Sequence, residues 1–118
     1  MNIEMYNLMN AERNEELIAR QEAFIKRIRE TPKKGFPATG SVIDISRRFG
    51  RHPLFDAFKE AAQAQIAAAD ELFDFAEFIK AGHGLTESDV AKYVKVTDAE
   101  YEAGVAAQTA IENLFDAL

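Results

Sequence analysis

The sequence predicts an all-α fold, and three observations carry the prediction. Apolar residues recur at three-and-four spacing through most of the 118 residues, capping residues stand where those patterns begin, and the disruptive residues collect in one stretch at 31–40. Together they give five helical segments covering about 70% of the chain, against the usual third. One domain spanning residues 1–118 fits this length, and the 47% apolar fraction with nine Phe supplies a core. The expected architecture is a compact bundle of five helices, three longer and two short, with one long central helix.

In the first segment Leu17, Ile18, Gln21, Phe24, Ile25 and Ile28 share a face, Asn10 is the expected N-cap, and Glu12, Glu15 and Glu16 favour the positive end of the helix dipole. Ile3 and Tyr6 extend that face but Met5, Leu8 and Met9 do not, so a break is expected at residues 7–10. Residues 31–40 hold two Pro, two Gly and two Thr, which forbids helix and predicts a basic, irregular loop. Ser41, with Asp44 three residues on, opens a short helix whose Val42, Ile45 and Phe49 share a face until Gly50 ends it.

The third helix has Pro53 in its first turn and Gly82 just past its end, with nothing between to break it. At 100° per residue, Leu54, Phe55, Phe58, Ala61, Ala62, Ile66, Leu72, Phe73, Phe75, Ala76 and Ile79 fill about half its circumference, as expected of a helix touched by several others. Asp56, Glu60, Asp70, Asp74 and Glu77 form an acid stripe on the other side, and Phe78 stands among them as an apolar anchor or a buried exception. Alanines between 61 and 69 allow a close neighbour. Thr86 with Asp89, and Thr97 with Glu100, each read as a capping box, so two further helices are expected, the last packing Tyr101, Val105, Ile111, Leu114, Phe115 and Leu118 with a close contact at Gly104. Leu-Phe-Asp recurs at 54, 72 and 114 without a longer period, a coincidence of composition.

Charge is sorted along the chain. Residues 26–51 carry eight of the 14 basic residues against Glu30 and Asp44, whereas residues 54–118 carry 13 of the 20 acids against four Lys. Such separation steers a small protein onto a charged partner or a copy of itself. The absence of Cys excludes disulfides, thiol catalysis and thiolate metal sites. His52 and His83 belong to no His-x-x-x-His or Glu-x-x-His pattern; His52 reads as a helix cap or solvent-facing residue and His83 as part of a turn. Asp70, Asp74 and Glu77 lack the calcium-loop spacing and read as solvated. No metal or cofactor is therefore expected, and no enzymatic activity.

No apolar run approaches the roughly 18 residues that span a bilayer, and the first five residues lack the basic start of a secretory signal, which predicts a cytoplasmic protein with no membrane partner. The leading expectation is a non-enzymatic protein-binding module, an acidic inhibitor whose face at Asp56, Glu60, Asp70, Asp74, Glu77 and Phe78 docks on the basic surface of a nucleic-acid enzyme. In size and composition the chain resembles phage-encoded inhibitors such as anti-CRISPR proteins. Two alternatives use the basic segment, Lys33, Lys34, Arg47, Arg48 and Arg51. One is a self-assembling structural or virion-type subunit in which it meets the acid face of the next copy. The other is a nucleic-acid binder in which Phe36 and Phe49 interleave with those charges.

Overall fold

The computed structural model describes residues 2–81 and 85–118, the side chains at 79–81 excepted. These form four helices and no strand: α1 (Ile3–Glu30), α2 (Val42–Phe49), α3 (Pro53–Ala81) and α4 (Glu87–Asp116). The all-α reading holds, and the five-helix count becomes four. The molecule is elongated, 55 × 26 × 18 Å. That length follows from its three long helices of 28, 29 and 30 residues, each roughly 42–45 Å at 1.5 Å per residue.

The expected break in α1 is absent. Its cap is Asn2, whose Oδ1 accepts from the Glu4 amide at 2.7 Å, and Asn10 lies inside the helix. Between Ile3 and Glu30 there is no Gly or Pro, and the off-face residues Met5 and Leu8 are simply exposed, at 70% and 64%. A change of apolar face does not require a change of backbone. The two predicted C-terminal helices fuse for the same reason. Thr86 and Asp89 do make a reciprocal capping box, with bonds of 2.9 and 3.1 Å. Thr97, by contrast, lies in mid-helix and is 1% exposed, while Glu100 accepts from Gln65 Nε2 instead of closing a cap.

The Thr97 hydroxyl has no hydrogen-bond partner among the described residues. Replacing it with the isosteric Val is expected to leave stability unchanged or raise it by up to about 1 kcal/mol, because a buried donor without a partner is a cost. A capping Thr would instead lose about 1 kcal/mol. Urea denaturation of Thr97→Val separates the two.

Helix α4, not α3, is central. It buries Val96, Thr97, Ala107, Ala110, Ile111, Leu114 and Phe115, whereas Phe55 is the one described α3 residue that is fully buried. Helix α1 lies along α4 in the same direction, since Tyr6 and Arg13 meet Asp98, Arg20 meets Glu112, and Arg27 meets Asp116. Helix α3 returns antiparallel on the other side. Gln65 reaches Glu100, and the Lys92 ammonium lies 5.2 Å from the Phe75 ring. Gly104 is the expected close contact, for a Cβ there would stand 3.0 Å from Gln65 Nε2 and 3.2 Å from Leu17 Cδ2. Because α3 meets essentially one neighbour, its buried strip is narrow. Ile66 and Phe73, expected inside, are 62% and 74% exposed.

The core is densest at the base of the bundle. Phe36 leaves the 31–40 loop to stack edge-on against Phe24 and Phe115, at 6.2 and 5.1 Å between ring centres, beside Ile28, Ile45, Phe55, Ile111 and Leu114. The chain reaches this plug through glycines at 35 and 40 with φ of 89° and 66°, conformations that L side chains rarely adopt. Helix α2 lays Ile45 on the same cluster, and Phe49 tilts against Phe36 at 6.0 Å. Ser41 occupies the N-cap position of α2 without a side-chain cap bond, and Gly50 ends it in right-handed rather than left-handed geometry.

Candidate protein-docking face

Helix α3 is fixed at its start by His52, whose Nδ1 accepts from the Leu54 amide at 3.1 Å, the helix-cap role read for this residue. His83 and Gly82 lie outside the described residues. With one strip of α3 turned to α4 and its first turns packed on α2 and the loop, much of the rest of its surface is exposed. All six residues assigned to the acidic face, Asp56, Glu60, Asp70, Asp74, Glu77 and Phe78, are exposed on it. Asp56 pairs with Lys59 at 3.4 Å. Glu60, Asp70 and Asp74 make no ion pair among the described residues, so their charge is offered outward. Phe78 is 46% exposed, which settles its side of the helix as surface. Helical angles set Ile66 and Phe73 along the other edge of the acid stripe. The face is thus a row of carboxylates framed by aromatic and aliphatic side chains, a combination the sequence reading missed because it placed Ile66 and Phe73 in the core.

The basic segment is partly used within the fold. Lys33 Nζ donates to the Phe115 carbonyl at 2.8 Å and lies 4.7 Å from its ring, neutralising the negative end of the α4 dipole. Arg48 donates to the Gly35 carbonyl at 3.1 Å, holding the loop against α2. Arg47 lies 3.9 Å from Asp44, and Lys34 and Arg51 are exposed. Phe36 is buried and Phe49 half-buried against it, which corrects their assignment as stacking surfaces for bases. The exposed cations near Arg51 and the carboxylates at Asp70 and Asp74 are separated by some 20 helical residues, roughly 30 Å. Arg27 of the basic zone pairs with Asp116 of the acidic one, but among the described residues no ion pair joins Lys34, Arg47, Arg48 or Arg51 to the α3 carboxylates.

A second charged system was not read from the sequence. Tyr6, Arg13, Arg20 and Arg27 stand seven residues apart on α1 and line its seam with α4. The Tyr6 hydroxyl donates to Asp98 Oδ1 at 2.6 Å; Arg13 Nη2 donates to the same oxygen at 2.8 Å and to the Tyr6 oxygen at 3.1 Å. The Arg13 guanidinium also lies 4.4 Å from the Tyr101 ring centre. Arg20 grips Glu112 through Nε at 3.0 Å and Nη2 at 2.8 Å, with Gln108 donating to the same carboxylate, and Arg27 pairs with Asp116. Burial pushes the Tyr6 phenol up to about 12, helped by the bond to Asp98. Burial also works to raise the Asp98 and Glu112 carboxyls, but the hydrogen bonds from Tyr6 and Arg13, and from Arg20 and Gln108, outweigh it and hold both below their ordinary values. The seven-residue spacing beside Leu17 and Phe24 was the available signal.

Among the described residues no cluster of His, Asp or Glu is arranged to hold a metal ion, and no helix is long and apolar enough to cross a membrane. No protein-family model matches the chain, and comparison with curated proteins and with solved structures finds no similar one.

Proposed function

We propose that this chain is a non-enzymatic binding module that docks the outward face of α3 on the basic surface of a nucleic-acid enzyme and inhibits it by occupying the groove meant for phosphates. The observation that carries this reading is the exposed pair Asp70 and Asp74, without an ion pair among the described residues, with Phe73, 74% exposed, beside them. Carboxylates in one row on a rigid helix steer a basic partner and mimic the regular charge of a nucleic-acid backbone. An exposed aromatic beside them supplies the apolar anchor that charge alone lacks. The basic segment, with its aromatic rings turned inward and two of its cations tied to carbonyls, is less suited to grip nucleic acid itself.

The test is capture of host proteins on the immobilised chain at low salt, followed by assay of any retrieved nuclease, polymerase or CRISPR effector with and without the chain. A retained nucleic-acid enzyme should lose activity in proportion to the chain added. Its affinity should fall by about tenfold or more in Asp70→Lys/Asp74→Lys, and should weaken as salt rises. Binding indifferent to both salt and charge reversal, or retrieved enzymes that remain fully active, would remove the proposal.

A further inference from the structure

Where all four helices and the end of the 31–40 loop converge, the bundle leaves a cavity of about 290 Å³. We propose that it binds a small, uncharged, largely apolar ring molecule that brings one hydrogen-bond donor. The walls are Phe24 and Ile25 of α1, Ile45 of α2, Phe58 and Ala62 of α3, and Ile111 of α4. Small residues keep it open. Ala62, Ala107 and Gly104 line it where larger side chains would fill it, and a Cβ at Gly40 would touch Ile28 and Ile25 at 3.6 and 3.7 Å.

In a chain that is 29% charged, no Asp, Glu, Lys or Arg lines this cavity. A charged ligand would lose its hydration there without a counter-charge. The polar groups are three amides, Gln21, Gln65 and Gln108. Gln108 is 7% exposed, and its Nε2 donates to Glu112 at 2.8 Å. That bond orients the amide and leaves Oε1 without a donor from any described residue. The Gln65 Nε2 likewise gives one of its two N–H groups to Glu100, at 3.3 Å. The Gln65 and Gln108 carbonyl oxygens accept from no described residue, and a ligand that supplies an N–H or O–H complements them. Apolar walls with a few convergent polar groups are the usual composition of ligand sites, and the volume lies at the small end of their range of roughly 300–1,000 Å³, suited to one or two rings. The exposed lining residues Gln21 and Val42 mark its mouth.

Indole is a suitable probe, with 1-methylindole as the analogue lacking the donor and indole-3-acetate as the charged one. Titrated into the ¹⁵N-labelled 118-residue chain, indole is expected to shift the amides of Gly40, Ala62, Gly104 and Ala107. 1-Methylindole should bind about tenfold more weakly, the loss of one hydrogen bond to an amide oxygen, and indole-3-acetate at least as weakly. Ala62→Phe, at a half-buried position, should abolish the shifts while circular dichroism still reports a helical fold. Should that variant unfold, Gln108→Leu decides, because it should erase the difference between indole and 1-methylindole. Equal binding of all three probes, no shifts at millimolar indole, or shifts that persist in a folded Ala62→Phe would overturn the assignment.

Discussion

Phe115→Ala is expected to lower the folding free energy by about 4 kcal/mol, the upper range for truncating a buried aromatic residue. Phe115 is 1% exposed and lies against Phe24 at 5.6 Å and Phe36 at 5.1 Å, both edge-on, with the Arg27 guanidinium 4.9 Å and the Lys33 ammonium 4.7 Å from its ring. No single neighbour can move into the space, because it joins α1, the 31–40 loop and α4. Truncation would leave a cavity and free the loop plug together. For a domain whose total stability lies at roughly 5–15 kcal/mol, that is a substantial share. Phe73→Ala is the internal control. At 74% exposure its ring is expected to matter to folding by no more than about 0.5 kcal/mol. Urea midpoints of the two variants, at an unchanged slope, measure the contrast. Equal losses in both would mean that the aromatic cluster at the base does not organise the fold.

The same pair of positions explains what the sequence could and could not disclose. Phe55 and Phe73 occupy the middle of identical Leu-Phe-Asp triplets eighteen residues apart, which is five helical turns, so they project from the same side of α3. Phe55 is 1% exposed and Phe73 is 74% exposed. Periodicity assigns an angle around a helix, but burial depends on what arrives at that angle. At the base, the loop plug and α2 complete a cluster over Phe55; farther along α3 no described residue covers Phe73 in the same way. The helical class, the Thr86 capping box, the cap at His52 and the outward acid stripe were legible because each is local. The burial of Phe36 was not, because a residue in an irregular loop has no period to read. Counting charge by zone also concealed the seam, since Arg27 and Asp116 lie at opposite ends of the chain and still meet. The acid stripe survived that accounting because its angle on α3 points away from α4.

Asp98→Ala should be the most damaging change to the polar seam, with an expected loss of about 2 kcal/mol at neutral pH. The carboxylate is 38% exposed, so its attraction to Arg13 is screened and contributes only a part. The larger part arises from its partners: the Tyr6 hydroxyl, in a residue 1% exposed, would be left as donor with only the longer 3.2 Å contact to the Val94 carbonyl, and Arg13, 19% exposed, would lose its counter-charge. Dependence on pH distinguishes this from simple loss of packing. Because folding lowers the Asp98 and Glu112 carboxyls, the stability they add is whole above their ordinary values of 3.8 and 4.5 and is lost as pH falls through that range toward their folded values. Folding raises the Tyr6 phenol, so its contribution is whole below the ordinary value of 10.0 and is lost as pH climbs toward about 12. Removing Asp98 deletes one carboxylate from the acid limb, which becomes shallower. It also removes a group that raises the Tyr6 phenol, so tyrosinate absorbance should develop at lower pH than in the parent chain. Urea midpoints at neutral pH and at about pH 3 measure the first effect, and an alkaline absorbance titration measures the second. A variant that matched the parent at neutral pH and retained its full acid limb would show that α1 is held by its apolar face alone.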